Sequence, residues 1–264
     1  MKSPLVSIII NCHNGEKYLA ECINSVLKQT YKNWEIVFWN NKSNDKSLKI
    51  VKSFKNKKIK IFNSKNFLSL YRSRNLAIKK AKGKFIAFLD TDDLWVKKKL
   101  ENQISLIKKN KKIKIIYSNY FVKNELKNRK FIKHKKKLPE GSITQKLIDS
   151  HDVGILTALV NKNIFNNYSF NNSYTIIGDF DFFLRTSLKY KFLVIQKPLA
   201  IYRLHKSNFS KIYINKYFYE LNYWVKKNKK KELFRYYSFF KLDCMLFKLK
   251  IKYLYFKIIN FLGV

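Results

Sequence analysis

Glycine and proline are scarce in this chain of 264 residues, at 6 and 3. That scarcity excludes collagen-like and linker-rich designs, and it gives each glycine weight, because glycine tends to sit where the backbone requires it. Cys12, Cys22 and Cys244 are an odd set with neither metal nor redox spacing, expected as free thiols of a reducing cytosol. No run of about 18 apolar residues occurs, so no membrane-spanning helix is expected. Met1 and Lys2 lead straight into a short apolar run without a cleavage site, so no signal peptide is expected. Acidic residues are few, 17 against 56 Lys and Arg, for a formal charge of +39. A phosphate loop of the G-x-x-x-x-G-K-[ST] kind is missing as well.

What is present is 46% hydrophobic, with 22 Phe and 17 Tyr, enough for a sizeable core and against wholesale disorder. The charge raises nucleic-acid binding as a first idea. Yet the basic residues are mostly Lys, accompanied by excess Asn, Ile, Phe and Tyr, the mixture that an AT-rich genome writes. A basic surface still attracts anionic lipid headgroups, at about 1 kcal/mol per well-placed Lys.

Along the first 110 residues strands and helices alternate. Leu5–Ile10 is a short β-branched run, read as a buried parallel strand. Tyr18 to Leu27 has helical spacing, Trp34–Trp39 is a second strand, 45–54 a helix, and Ile59–Phe62 a third strand. Arg72–Lys82 is a helix ended by Gly83, and Phe85–Leu89 a fourth strand. This is the pattern of an α/β, doubly wound sheet with helices on both faces, which binds ligands beyond the carboxyl ends of its strands. The polar clusters at 11–14, 40–45 and 90–93 should therefore converge on one crevice. Beyond them the sequence predicts a strand at Ile113–Tyr117, a mobile Lys-rich loop at 123–137, a helix near 178–189, and strands at 192–195 and 199–203. Residues 206–264 hold 14 Lys and Arg against 3 Asp and Glu. There Phe239, Phe240, Leu242, Met245, Leu246, Leu249, Tyr253 and Phe256 alternate with Lys, as in an amphipathic helix that lies on the domain core or on a membrane surface.

Asp90-Thr91-Asp92-Asp93 is the sharpest local feature. Three carboxylates in four residues repel one another unless a positive partner compensates, and a divalent cation such as Mg2+ or Mn2+ suits carboxylate and phosphate oxygens. A helix N-cap ahead of Leu94-Trp95 would need only one of them. Asp179 and Asp181 in Gly178-Asp179-Phe180-Asp181 form a second acidic cluster, open to capping, to an i,i+4 ion pair with Arg185, or to general-base work. Tyr202-Arg203-Leu204-His205 carries one of only four His.

The ordered series resembles the family 2 glycosyltransferases over about residues 4–210. It comprises Val6–Ile10, Asn14–Leu19, Ser25–Tyr31, Trp34–Val37, Arg74-Asn75, Gly83–Asp93, Gly178–Asp181 with Leu184-Arg185, and Tyr202-Arg203 with His205. The resemblance implies a GT-A fold and inverting, metal-dependent transfer from a nucleotide-sugar donor. Asp90 and Asp92 match the Asp-x-Asp motif that meets the donor's ribose and, through the metal, its diphosphate. Asp93 extends that motif, and His205 falls at a further metal or diphosphate contact. Asp179 matches the catalytic base, with Asp181 supporting it, and Arg74 falls in a segment that lines the nucleotide site. Two departures concern the donor. Asn11-Cys12-His13-Asn14 stands where the family often has Pro-Thr-Tyr-Asn. Asn40-Asn41-Lys42-Ser43 stands for Asp-Asp-Gly-Ser, so Asn41 offers an uncharged acceptor and a weaker bond to the base.

The expected organisation is a GT-A domain over 1–210 (a nucleotide-sugar half at 1–110 and an acceptor half at 111–210) and a helical, basic and aromatic extension over 211–264. The expected partners are a nucleotide-sugar donor, a glycan or lipid-linked glycan acceptor and an anionic membrane surface, but no nucleic acid. The setting that the resemblance implies is polysaccharide or lipopolysaccharide assembly at the inner face of the cell membrane. The competing readings are a basic nucleic-acid-binding α/β protein and a metal-dependent nucleotidyl or phosphoryl transferase. The first leaves the acidic clusters unexplained, and the second lacks a phosphate loop.

Overall fold

The β-branched runs form Val6–Cys12 (β1), Trp34–Asn40 (β2), Ile59–Asn63 (β3) and Phe85–Phe88 (β4), paired in parallel in the order β3-β2-β1-β4. The structure, a computed structural model, describes residues 3–206, 208 and 214–262. The expected domain boundary at 210/211 and the side chain of Phe256 lie outside the described residues. Between these strands run Glu16–Leu27 (α1), Ser47–Ser53 (α2) and Leu70–Lys80 (α3). Every residue of β2 and six of the seven in β1 are buried, as strands covered on both faces must be.

The chain continues through Leu94–Trp95 (β5), Lys99–Lys109 (α4), Ile115–Asn124 (β6), Arg129–Ile132 (β7), Thr144–Asp149 (α5), Leu159–Asn161 (β8), Gly178–Ser187 (α6), Phe192–Leu204 (β9), Ile214–Asn228 (α7) and Phe240–Leu262 (α8). The sheet extends from β4 through β8, β6 and β9 to β5, with β7 beside β6. The parallel order runs as far as β4. Next to it β8 runs antiparallel to both β4 and β6, β6 and β9 are parallel, and β5 is antiparallel to β9. Helices cover both faces. α1, α2 and α4 bury Leu19, Val51 and Ile104 against one, and α3, α5 and α6 bury Ile78, Leu147 and Phe182 against the other.

Three local expectations are corrected. Residues 123–137 contain a β-hairpin, not only a loop, since β6 runs to Asn124 and β7 returns beside it. All four residues of β7 are exposed, so the strand lacks the alternation that would reveal it. The strands expected at 192–195 and 199–203 are one strand, β9, whose register against β6 shifts around Asn119, opposite Pro198, a residue that cannot donate to the ladder. Leu94-Trp95 opens no helix. It pairs with Ala200 and Ile201, so Asp93 caps nothing.

The C-terminal helices are packed on the domain. Leu221, Trp224, Phe234, Phe239, Leu242 and Leu246 belong to the same buried cluster as Phe180 and Phe182. Among the described residues no helix is long and apolar enough to cross a membrane.

At the opposite end of the strands from the polar clusters, Ser7 and Glu35 fasten β1, β2 and the α3–β4 turn. Ser7 Oγ donates to Glu35 Oε1 at 2.6 Å, and the amides of Lys82 and Gly83 donate to Glu35 Oε1 and Ser7 Oγ, each at 2.7 Å. Gly83 is required here, because a Cβ would stand 2.5 Å from the Ser7 nitrogen. Ser7→Ala leaves the Gly83 amide and one Glu35 interaction unmet, so it should lower unfolding free energy by about 1–3 kcal/mol. Urea denaturation checks this, and an unchanged midpoint would contradict the role given to the network.

Candidate active site

β4 ends at the acidic turn. The Leu89 amide still pairs with Ile9 O at 3.1 Å, and the Asp93 amide turns back to Asp90 O at 3.1 Å, so the strand delivers Asp90, Asp92 and Asp93 to the carboxyl edge of the sheet. A crevice of about 300 Å³ opens there, and its walls include Arg74, Asp90, Asp92, Asp93, Tyr120 and Asp179. The acidic turn and the α6 cluster, 86 residues apart between Asp93 and Asp179, are thus brought together.

Arg74 comes from α3 and is 3% exposed. Its Nη2 meets Asp90 Oδ1 at 2.9 Å, and its guanidinium lies 5.5–5.6 Å from the ring centres of Tyr71, Phe88 and Phe170. That aromatic collar orients the cation toward the acidic turn. Burial raises the Asp90 pKa from the ordinary carboxylate value, with Asp92 and Asp179 adding to the rise and Arg74 opposing it.

Asp92 Oδ2 lies 3.0 Å from His205 Nε2 and 3.4 Å from Asn208 Nδ2, so the residues after β9 close on the turn. Asp93 departs from its expected place on a metal. It is 2% exposed and Oδ1 accepts the Arg203 amide at 2.9 Å. Burial first, then the charges of Asp92 and Asp90, raise its pKa well above the usual carboxylate range. Arg203 is the hub that sequence reading left without a role. Its guanidinium donates to Asp92 O, Glu125 and Glu21, each at 2.8 Å, and lies 4.3 Å from the Tyr18 ring centre. It ties α1, the end of β6 and the acidic turn together.

Asp179 stands in the first turn of α6. Its Oδ1 accepts from the Phe180 amide at 2.9 Å and from Tyr71 Oη at 3.4 Å. Its Oδ2 makes no hydrogen bond among the described residues, which leaves one carboxylate oxygen without a partner there. Tyr71 also donates to Ile176 O at 2.7 Å, and its ring lies so close to Gly178 that a Cβ there would sit 2.5 Å from it. Tyr71 was missed in the sequence, although the scarcity of glycine pointed at its neighbour. Asp181 is turned away from this crevice. It is 5% exposed, pairs with Arg185 at 2.7 Å and accepts from Trp224 Nε1 at 2.9 Å, so it anchors α6 and stands outside the crevice lining.

Asn11, His13, Asn14 and Asn41 stand at or just beyond the carboxyl ends of β1 and β2, outside the lining of that crevice. Asn41 does not hold its carbonyl free. Oδ1 accepts the Leu68 amide at 3.0 Å and Nδ2 donates to Leu68 O at 2.8 Å, so its side chain pins the loop before α3. His13 Nδ1 lies 3.0 Å from Asn41 O, and its ring leans on Phe67, which is 61% exposed. Asn14 adopts φ 52° and accepts the Asn44 amide at 3.0 Å. Asn11 buries both Nδ2 and Oδ1 without a hydrogen bond among the described residues, a capacity that folding alone leaves unused.

Among the described residues no group of three or more His, Cys, Asp and Glu side chains is arranged to hold a metal by itself. Asp92 and His205 place an oxygen and an imidazole nitrogen side by side, a donor set that fits Mg2+ or Mn2+ taking its other ligands from phosphate oxygens and water.

The sequence profile of Glycosyl transferase family 2 matches residues 7–189. The chain belongs to this family. A relative of this transferase, the UDP-Glc:alpha-D-GlcNAc-diphosphoundecaprenol beta-1,3-glucosyltransferase WfgD of Escherichia coli, is 38% identical over 170 residues, covering 64% of this chain and 65% of its own. An uncharacterized glycosyltransferase of Methanocaldococcus jannaschii is 32% identical over 242 residues, covering 87% and 82%. Among solved structures, S. aureus TarS 1-349 in complex with UDP superposes with a TM-score of 0.63 at 20% identity, covering 82% of this chain and 65% of that one. The mannosyltransferase PcManGT from Pyrobaculum calidifontis, in complex with GDP-Man and Mn2+, gives 0.65 at 12% identity, covering 89% and 68%. The sheet and its helices are those of the GT-A fold.

The contact between Gly178 and Tyr71 makes a direct test. Gly178→Ala forces the ring off Ile176 O and should destabilise the glycosyltransferase by about 1–3 kcal/mol, measured by denaturant unfolding. A wild-type midpoint would contradict the close approach.

Proposed function

We propose that this glycosyltransferase moves a sugar from a nucleotide-sugar donor to an acceptor hydroxyl with inversion, by a single in-line displacement. The observation that carries this reading is the convergence of Asp179, with one open carboxylate oxygen, on the crevice that holds Asp90 and Asp92. Asp179 takes the proton from the acceptor hydroxyl as it attacks. Arg74 and Asp90 orient the donor's nucleoside, and Asn11 and His13 bind it from the ends of β1 and β2, Asn11 with an amide that has no hydrogen-bond partner among the described residues. Asp92 and His205 face the diphosphate. A bound Mg2+ or Mn2+ would offset the negative charge that gathers on the departing nucleoside diphosphate. Holding both reactants in one crevice makes their encounter effectively unimolecular. The nucleic-acid reading is not favoured, because carboxylates at the mouth of the site repel phosphate unless a cation intervenes.

The setting we propose is surface polysaccharide assembly on a lipid-linked acceptor, supported by the diphosphoundecaprenol named for the Escherichia coli relative. The chain also has a face suited to a lipid surface. Phe240, Cys244, Phe247 and Ile251 recur at i, i+4, i+7 and i+11 on α8 and are exposed, with exposed Lys241, Lys248 and Lys250 beside them, while Leu242 and Leu246 face the core. An apolar stripe edged by cations is the pattern that sits at an anionic interface.

Binding of UDP-, GDP-, dTDP- and CMP-sugars, measured with Mn2+ or Mg2+ and again with EDTA, should show metal-dependent selection of one donor. Asp179→Asn should lower kcat by about 100- to 10,000-fold with donor affinity retained, and Asp92→Ala should weaken the metal-dependent part of binding. Near-normal turnover in the first variant would sink the base assignment, and unchanged binding in the second would remove the metal role. Sedimentation with vesicles containing anionic lipid should bring the protein down in low salt and release it in high salt. The double variant Phe240→Glu, Phe247→Glu should stay in the supernatant, and equal pelleting of both proteins would exclude this face as the contact.

A further inference from the structure

Asp179 is only as useful as its placement, and the backbone that places it is held from α7, outside the segment that matches the family. Three successive amides precede α6. Those of Thr175, Ile176 and Ile177 donate to Glu220 at 2.7, 2.9 and 3.2 Å, the first to Oε1 and the other two to Oε2. A run of N–H groups before a helix start is a concave anion site, and here the chain fills it with its own carboxylate. Four residues on, and so on the same face of α7, Trp224 is fully buried and donates its indole N–H to Asp181 Oδ1. Asp179 lies between these two attachments in sequence. On the other side Tyr71 fixes Ile176 O.

We infer that Glu220 is a positioning residue for Asp179, setting the start of α6 so that the carboxylate oxygen left open faces the acceptor. The inference rests on the reading of Asp179 as general base. Among the described residues the three amides are satisfied by no other side chain, and hydrogen bonds to a charged acceptor are stronger than neutral ones. Losing the carboxylate frees residues 175–177 while Tyr71 and Trp224 still retain α6 near its place. The result is a base displaced without a disordered domain. The donor-facing residues Arg74, Asp90 and Asp92 lie on other elements, so donor binding does not depend on this attachment.

The test compares wild type, Glu220→Ala, Glu220→Gln and Asp179→Asn in the full chain, reading kcat, donor affinity and amide hydrogen exchange at 175–177. Glu220→Ala should speed exchange at those three amides, lower kcat by about 30- to 100-fold, as misplacement near 1 Å does, and leave donor affinity within about threefold. Glu220→Gln keeps one acceptor oxygen and turns an N–H2 toward the chain, so kcat should fall by about fivefold, the worth of roughly 1 kcal/mol. Should the alanine variant fail to fold, the glutamine variant decides, and wild-type kcat in it overturns the inference. Faster exchange with unchanged kcat, while Asp179→Asn is inactive, overturns the positioning role and leaves the base in place. An active Asp179→Asn overturns both.

Discussion

Mutual repulsion among carboxylates is the constraint around which this site is built. Asp90, Asp92, Asp93 and Asp179 share one crevice. Two unit charges roughly 5 Å apart at an effective dielectric of about 20 repel by about 3 kcal/mol, a large share of a domain's net stability. The fold answers with a separate partner for nearly every charge. Arg74 meets Asp90, His205 meets Asp92, and the Arg203 amide meets Asp93, whose raised pKa favours the neutral form. Asp179 has only dipoles, from the Phe180 amide and Tyr71. It is therefore the member of the group that no cationic side chain engages, and its Oδ2 makes no hydrogen bond among the described residues.

The sheet explains why these residues meet. β1, β2 and β4 run in parallel, so their carboxyl ends share one edge, and β8 reverses direction beside β4. α6, from the second half of the chain, brings Asp179 to the crevice that the acidic turn lines. Arg203 then closes the edge, because β9 carries it to within hydrogen-bond reach of α1, β6 and the acidic turn. In a chain with a formal charge of +39, two buried arginines carry the compensating charge, while the one buried lysine among the described residues, Lys99, donates to Gln103 on α4. The net charge thus says little about the chemistry of the crevice.

Much of this is legible in the amino-acid sequence. β1 to β4 are short apolar runs between turn residues, and their alternation with amphipathic helices leaves few other arrangements. The acidic turn and the α6 cluster stand out because their carboxylate density exceeds what capping requires. What escaped reading depends on contacts distant in sequence. The β7 strand is exposed at every position and carries no periodic signal. Asp179 and Asp181 look equivalent as letters, yet a helix separates them by 200° and turns one to the crevice and the other to Trp224. Asn41 stands just beyond β2, outside the crevice lining, and spends its amide on Leu68. Tyr71 and Glu220 reach the segment before α6 across 105 and 44 residues, and only the fold reveals such partners.

The open oxygen of Asp179 suits a single displacement at the anomeric carbon, and the most direct measurement is stereochemical. NMR of the product formed from a donor of known anomeric configuration reads the outcome in one experiment. The account predicts the opposite configuration at the transferred sugar's anomeric carbon. Retention of the donor's configuration would contradict it, because one carboxylate acting as base in one displacement cannot produce that result.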